Sequence, residues 1–378
     1  MKKNILLLLL IPIIGMGQII TNSTTISITK SWAQEPNGYT YPIDISVPSG
    51  PVPQGGFPAC ILLHGNGGQG AGMLMQYENV LDCHVLVAPS GYMNSWNICG
   101  ENSDAPDVEM VTELILNLQS YTNINPTQIR ILGSSNGSGL ANRVFIENSN
   151  TGVDIICGVV SQLNEEQYHN GNFYYPSGAT TSSNSYCGYN TISNPISGRK
   201  YLSVCNTNDP VIPYSGGASV GVNFLNAELS AYIIAQSQGY TGNQITGNGT
   251  AIGTAGSAVN EYSYLSDQVV LLKGNAAHAI NTTQRDYISD YFEVDCSMTD
   301  IQENFHNLSV VPNPTQNIVT IKAVNYNGPF KIMIYDLQGR WLETKNEATI
   351  DIQEYPNGVY LFKVFYGKKM EELRVVKY

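Results

Sequence analysis

The sequence predicts an α/β domain on a mostly parallel, doubly wound sheet, followed by a small all-β sandwich. Three observations carry that prediction. Continuous apolar runs such as Ala59-Cys60-Ile61-Leu62-Leu63 and Val85-Leu86-Val87-Ala88 read as strands buried on both faces, and amphipathic helices alternate with them. The run Ile129 to Leu132 leads through Gly133-Ser134-Ser135-Asn136-Gly137 into a helix reaching about Ile146, a strand, tight turn and helix with Ser135 at the apex. Beyond Cys296 the pattern changes to short alternating runs separated by turn residues.

At 378 residues the chain is long for one domain, and we read it as residues 1–17, a signal peptide; 18–297, the α/β domain; 298–306, a linker; and 307–378, the sandwich. Met1-Lys2-Lys3 followed by the apolar run Ile5 to Ile14 and the small residues Gly15 and Gly17 has the charge, length and cleavage-site character of a secretory signal. The protein is therefore expected outside the cell or on its surface. No later apolar stretch has the length of a transmembrane helix, so no membrane span is expected. Charged residues make up 13% and the formal charge is −12, a balance that disfavours nucleic acid and anionic membrane as partners.

The elements follow in order. Thr25 to Trp32 and Tyr39 to Val47 alternate as two strands around Pro36-Asn37-Gly38. The buried strand Ala59 to Leu63 ends in His64-Gly65-Asn66-Gly67-Gly68, and the strand Val85 to Ala88 leads into a long loop. Val108, Val111, Leu114, Ile115 and Leu118 give Asp107 to Leu118 helical periodicity, with a start at Ser103 or Asp104. After the serine turn come strands at Ile155 to Val160 and Tyr201 to Cys205, a helix at Ala227 to Gln236, the last buried strand at Val269 to Leu272, and a closing helix at Thr282 to Phe292. Leu163 to Ser197 is a long polar insertion, expected as a lid or binding loop without regular structure.

In such sheets the reactive groups sit on loops at the carboxyl ends of the strands. A serine hydroxyl needs a base, and the base needs an acid to fix its tautomer. His169, His278 and His306 follow Ser135, and His278 comes directly after the last buried strand, whereas His169 lies in the insertion and His306 in the linker. Among the carboxylates, Asp154 and Asp267 precede strands, and Asp286, Asp290 and Asp295 belong to or follow the closing helix. Asp209 follows the strand Tyr201 to Cys205, at the expected rim, although an aspartate before Pro210 is also a common turn residue. An oxyanion hole would use the amides of Asn136 and Asn66, with His64 as a structural residue of that turn. The glycines from Gly65 to Gly72 lack the Gly-Lys-Ser/Thr of a phosphate loop. In the insertion, Tyr174, Tyr175, Tyr186 and Tyr189, with Trp96 across the site, either stack on sugar rings or an aromatic acyl group or pack the loop onto the body.

Seven cysteines leave at least one unpaired. Cys60, Cys157 and Cys205 lie in apolar runs and Cys83 opens one, while Cys99 and Cys187 lie in polar loops and could pair. No metal-ligand spacing occurs, and neither metal nor cofactor is expected.

Leu62-Leu63-His64-Gly65-Asn66-Gly67-Gly68, Ser95-Trp96-Asn97, Asp107-Val108, Gly133 to Ser138 and Asn208-Asp209-Pro210-Val211-Ile212-Pro213-Tyr214 resemble the secreted feruloyl/acetylxylan esterase and polyhydroxybutyrate depolymerase group of α/β-hydrolases. The resemblance spans about Thr24 to Cys296. It implies Ser135 as nucleophile, Asp209 as acid and His278 as base. Where the group often continues its histidine with Trp-Pro, this chain has Ala279-Ile280. The implied activity is a serine carboxylesterase acting on acetylated or feruloylated plant or algal polysaccharide. A polyester depolymerase, a serine peptidase or a non-catalytic glycan-binding protein are the alternatives on this scaffold.

In the last segment, strands are expected at Ile318 to Ala323, Phe330 to Tyr335, Thr349 to Ile352, Val359 to Phe365 and Leu373 to Lys377. The expected turns are Asn313-Pro314, Gln338-Gly339, Asn357-Gly358 and Gly367-Lys368. Val311-Pro312-Asn313-Pro314, Tyr335 to Arg340 and Asn357-Gly358-Val359-Tyr360 resemble the C-terminal sorting domain of the type IX secretion system of Bacteroidetes. That machinery would be its partner. A carbohydrate-binding module is the rival reading, with Trp341 as its only obvious stacking residue.

Overall fold

A computed structural model describes residues 17–254, 258–294 and 308–378, apart from 324, 325, 327, 338, 367 and 368. Most of the expected signal peptide, the expected linker, His306, Cys296 and the turn Gly367-Lys368 lie outside the described residues, as does Gln338. The chain divides into two compact units, Met1–Cys296 and Ser297–Tyr378.

The first unit is built on a nine-stranded sheet. Its strands are β1 (Ile43–Ser46), β2 (Phe57–Leu63), β3 (Val85–Pro89), β4 (Ile124–Ser134), β5 (Val153–Val159), β6 (Lys200–Asn206), β7 (Thr250–Ile252), β8 (Val259–Tyr264) and β9 (Val269–Gly274). Their order is β7-β8-β9-β6-β5-β4-β2-β3-β1. From β9 to β3 neighbouring strands run parallel, and antiparallel pairs close both edges. Helices α1 (Gly70–Tyr77), α2 (Asp107–Gln119), α3 (Asn136–Glu147), α4 (Ala227–Ser237) and α5 (Thr282–Tyr291) cover the two faces.

Alternation along the strands decides which face each side chain serves. Ala59, Ile61 and Leu63 join the core beneath α2, α3 and α4, whereas Cys60 and Leu62 join the core beneath α1 and α5. Every residue of β2 is buried for this reason, each large aliphatic side chain stabilising by about 1.5–3 kcal/mol. Helices α4 and α5 begin where the sequence supplies a side-chain acceptor. The Asn226 side chain accepts from the Glu228 and Leu229 amides at α4, and Asn281 with Gln284 forms a capping box at α5.

Several local expectations are corrected. The first hairpin pairs Thr29–Trp32 with Glu35–Thr40, with Trp32 opposite Glu35, so the chain turns at Ala33-Gln34 and not at Pro36-Asn37-Gly38. Gln34 is anchored there by the Trp32 indole and the Asp104 amide. Helix α2 starts at Asp107 and not at Ser103 or Asp104: the Pro106 ring disfavours helical backbone at Ala105. Helix α1 was hidden by its glycines. A Cβ on Gly70 would lie 2.0 Å from the Ala88 carbonyl oxygen, so glycine is required where the helix meets β3. The insertion is not structureless: Tyr168–His169, Asn172–Pro176 and Tyr189–Ser193 form a small antiparallel sheet. An unanticipated hairpin, Gly217–Ser219 with Val222–Phe224, follows β6.

Cys99 and Cys187 are joined by a disulfide, and Cys60, Cys157 and Cys205 are free and buried. Cys83 is also disulfide-bonded rather than a simple start to an apolar run.

The second unit has two antiparallel sheets. One contains β10 (Leu308–Val311), β11 (Ile318–Ala323) and β14 (Thr349–Asp351). The other contains β12 (Phe330–Asp336), β13 (Trp341–Lys345), β15 (Gly358–Tyr366) and β16 (Lys369–Lys377). Their inward residues, among them Val319, Ile321, Ile332, Ile334, Phe362 and Val375, form one apolar core. Strands β10 and β13 were not anticipated. Trp341 lies in β13 with 57% of its surface exposed.

Candidate active site

Strand β4 delivers Ser135 to the turn before α3 with φ +54° and ψ −117°, a region that a serine occupies only under constraint. Close packing supplies that constraint. A Cβ on Gly133 would lie 2.0 Å from the Gly137 carbonyl oxygen, and one on Gly137 would lie 2.2 Å from that of Leu63. The Ser135 amide donates to Val159 of β5 at 2.8 Å, and the Ser138 and Gly139 amides donate to the Ser135 carbonyl.

Asp209 and His278 stand beyond the ends of β6 and β9. His278 Nε2 lies 2.8 Å from Ser135 Oγ, and its Nδ1 lies 2.8 Å from Asp209 Oδ2. The Asp209 side chain is nearly buried, and its Oδ1 accepts from the Val211 and Ile212 amides at 2.8 and 3.0 Å. An aspartate so placed accepts a hydrogen bond from the imidazole Nδ1–H and fixes that tautomer, leaving Nε2 free to accept from the serine.

Asn206, at the end of β6, was not singled out from the sequence. Buried, it donates through Nδ2 to the Ala277 and Ala279 carbonyls at 3.1 and 2.7 Å and thereby grips the backbone on either side of His278. Gln284 of α5 donates in turn to Asn206 Oδ1 at 2.9 Å. The residue's position at a strand end, immediately before the segment bearing Asp209, is the signal that could have found it.

Ser135 and His278 open into a cavity of about 640 Å³. One part of its wall is apolar, from Ile98, Val211, Ile212, Val220, Val222 and Phe224. Another is polar, including Asn66, Glu101, Asn102 and Asn164. Asn136 also lines it; as the first residue of α3, its amide is one of those without an intrahelical acceptor. The Asn136 side chain accepts from the Trp96 amide at 2.7 Å and donates to Glu101 Oε1 at 3.1 Å, so the serine turn and the 96–102 loop hold each other.

His64 is fixed as a neutral ring. Its Nε2 accepts from the Gly91 amide at 2.9 Å, its Nδ1 donates to the Gly65 carbonyl at 2.7 Å, and burial lowers its pKa. Asp107 receives the Asn97 amide and the Tyr41 hydroxyl, and burial pushes its pKa up to about 7.

The structure does not bring the expected aromatic platform to the cavity. Trp96 is completely buried, packed on His64 and donating to its carbonyl oxygen. Tyr174 stacks on His169 at 3.9 Å, and Tyr175 packs against the core beneath the insertion. None of these side chains lines the cavity. Trp96 is enclosed by the rest of the chain, whereas Tyr174 and Tyr175 are half-buried and engaged by His169 and by the core.

Strand order, serine turn and strand-end loops together define the scaffold. The first unit has the α/β-hydrolase fold. Residues 309–377 match the family model described as secretion system C-terminal sorting domain. The second unit thus carries a type IX sorting signal, which sends the chain to the cell surface or beyond. No curated protein matches the chain by sequence. Among solved structures, the chain is similar to a Bacillus cereus carboxylesterase (11% identity, 67% of this chain and 93% of that one, TM-score 0.41). It is likewise similar to an acetyl xylan esterase from Aspergillus awamori (11%, 66% and 93%, 0.44). A third similar structure is LpqC, a poly(3-hydroxybutyrate) depolymerase from Bordetella parapertussis (13%, 46% and 62%, 0.33). No described helix is long and apolar enough to cross a membrane.

Proposed function

We propose that the protein is an exported serine carboxylesterase that removes acetyl or feruloyl groups from plant or algal polysaccharide. The observation that supports this best is the continuous relay Ser135–His278–Asp209, opening on a cavity with room for an ester. Ser135 Oγ attacks the ester carbonyl carbon as its proton passes to His278 Nε2. The amides of Asn66 and Asn136 hold the oxyanion, and Asp209 holds the imidazolium. Collapse breaks the bond to the sugar oxygen, which takes the proton from His278 and departs as a hydroxyl. Water then attacks the acyl-enzyme, gives its proton to His278, and releases the acid as Ser135 recovers its hydrogen. The apolar wall, which includes Phe224, suits the acyl group, and sugar hydroxyls match the polar residues.

Ser135→Ala should lower kcat on p-nitrophenyl acetate by several orders of magnitude, leaving at most roughly 10³-fold catalysis over water. Asp209→Asn should cost about 10⁴-fold by presenting the wrong tautomer. Unchanged turnover in Ser135→Ala would end the proposal in favour of a glycan-binding protein or another hydrolytic centre. Mass spectrometry of acids released from acetylated and feruloylated xylans, with polyhydroxybutyrate alongside, identifies the substrate. Release of hydroxybutyrate alone would move the assignment to a polyester depolymerase.

A further inference from the structure

The cavity has an uneven charge pattern that the relay does not use. Among its described lining residues, Glu101 and the relay's own His278 are the only ones with ionisable side chains. Glu101 is not a freely swinging surface carboxylate. Its Oε2 accepts from the Ile98 and Cys99 amides at 3.0 and 2.6 Å, and its Oε1 accepts from Asn136 Nδ2 at 3.1 Å. The loop that carries it is pinned by the Cys99–Cys187 disulfide. A negative charge is thus held on the cavity wall, next in the network to the residue that follows Ser135.

Two consequences follow from elementary chemistry. A carboxylate has roughly four acceptor sites, and these bonds take three, so Oε1 retains capacity for a donor on the substrate. A fixed charge in a partly enclosed, apolar-walled space acts more strongly than one in bulk water, and no lysine or arginine among the described lining residues offsets it. The geometry points to Glu101 as a specificity residue that accepts a hydrogen bond from an uncharged, hydroxylated ester and rejects esters bearing a carboxylate. The substrate class is therefore neutral glycan esters rather than esters of uronate-rich chains or dicarboxylic half-esters. This inference rests on the esterase reading, and its test separates the two.

Two substrate pairs differ chiefly in charge: methyl 4-acetoxybenzoate against 4-acetoxybenzoate for the leaving group, and p-nitrophenyl butyrate against p-nitrophenyl hemisuccinate for the acyl group. After normalisation to alkaline hydrolysis, the wild type should prefer the neutral member of at least one pair by about 30-fold in kcat/KM. Glu101→Gln should shrink that preference at least tenfold. Asn102→Lys, which adds an opposing charge on the same wall with Glu101 intact, should shrink it too and serves if Glu101→Gln fails to fold. No wild-type preference in either pair, or a preference that survives in a folded variant, overturns the proposal. Absence of any Ser135-dependent turnover would instead overturn the esterase reading beneath it.

Discussion

Asn206 shows how a single side chain outside a candidate site holds the backbone that carries one of its members. Its two donations straddle His278, which makes it a positioning residue for the imidazole in the proposed relay. Asn206→Asp keeps the volume and loses both donors. We expect kcat to fall on the order of 10²-fold, the cost of a small misplacement of a reacting group, with KM little changed. A kcat within twofold of wild type in a folded variant would remove Asn206 from the machinery. The same scale explains the glycines beside Ser135. Position 137 meets the Leu63 carbonyl oxygen so closely that even one methyl group must displace backbone, and this is why the serine can stay in its strained conformation.

At the scale of elements, the hairpin from Gly217 to Phe224 decides the shape of the apolar wall. Its tip residues Val220 and Gly221 have φ +42° and +87°, positive values that suit a tight hairpin turn but not a β-branched side chain. Val220 nevertheless lines the cavity, with 65% of its surface exposed. A β-branched residue held in that region costs stability while it places its side chain on the cavity lip. Val220→Asn should therefore raise Tm by about 2–4 °C, as expected for roughly 1 kcal/mol in a domain of this size. It should also lower kcat/KM for p-nitrophenyl butyrate relative to acetate. A lower Tm, or an unchanged butyrate-to-acetate ratio, would count against this account of the hairpin.

For the molecule as a whole, buried titratable groups set opposing responses to acid. His84 is buried beside Arg130, whose guanidinium lies 2.7 Å from Nε2, and burial with that charge pushes its pKa from 6.5 down to about 3. Between those values the unfolded chain binds a proton that the folded chain refuses. This group's contribution to stability is therefore complete above pH 6.5 and falls by about 1.4 kcal/mol per pH unit on acidification through the window. Asp107 has the opposite sign: with its pKa raised from 3.8 to about 7, the folded chain holds the extra proton, and its contribution weakens as pH rises through that range. The two slopes offset each other across most of the acid range. Chemical denaturation of His84→Gln should thus show less loss on acidification than wild type, and Asp107→Asn more. Parallel pH profiles for wild type and His84→Gln would rule out His84 as the acid-sensitive group.

How much of this was legible beforehand depended on the range of the interaction. The buried strands, the serine turn and the rim positions of Asp209 and His278 follow from local hydrophobic runs and chain order, because burial on two faces leaves a continuous apolar signature. The edge strands β7 and β8 and the short hairpins carry too little periodicity for that. That Trp96, Tyr174 and Tyr175 do not line the cavity was not legible for a different reason. An aromatic ring in a loop looks the same whether it faces a cavity or the core, and only the packing of His64 on Trp96, of His169 on Tyr174 and of the core on Tyr175 decides. Sequence alone determined the scaffold and the order of candidate groups along it, since local pattern and covalent connection suffice for both. Tertiary structure decided the distances between them, the grip of Asn206 and the charge on the cavity wall, because those depend on residues far apart in the chain meeting in space.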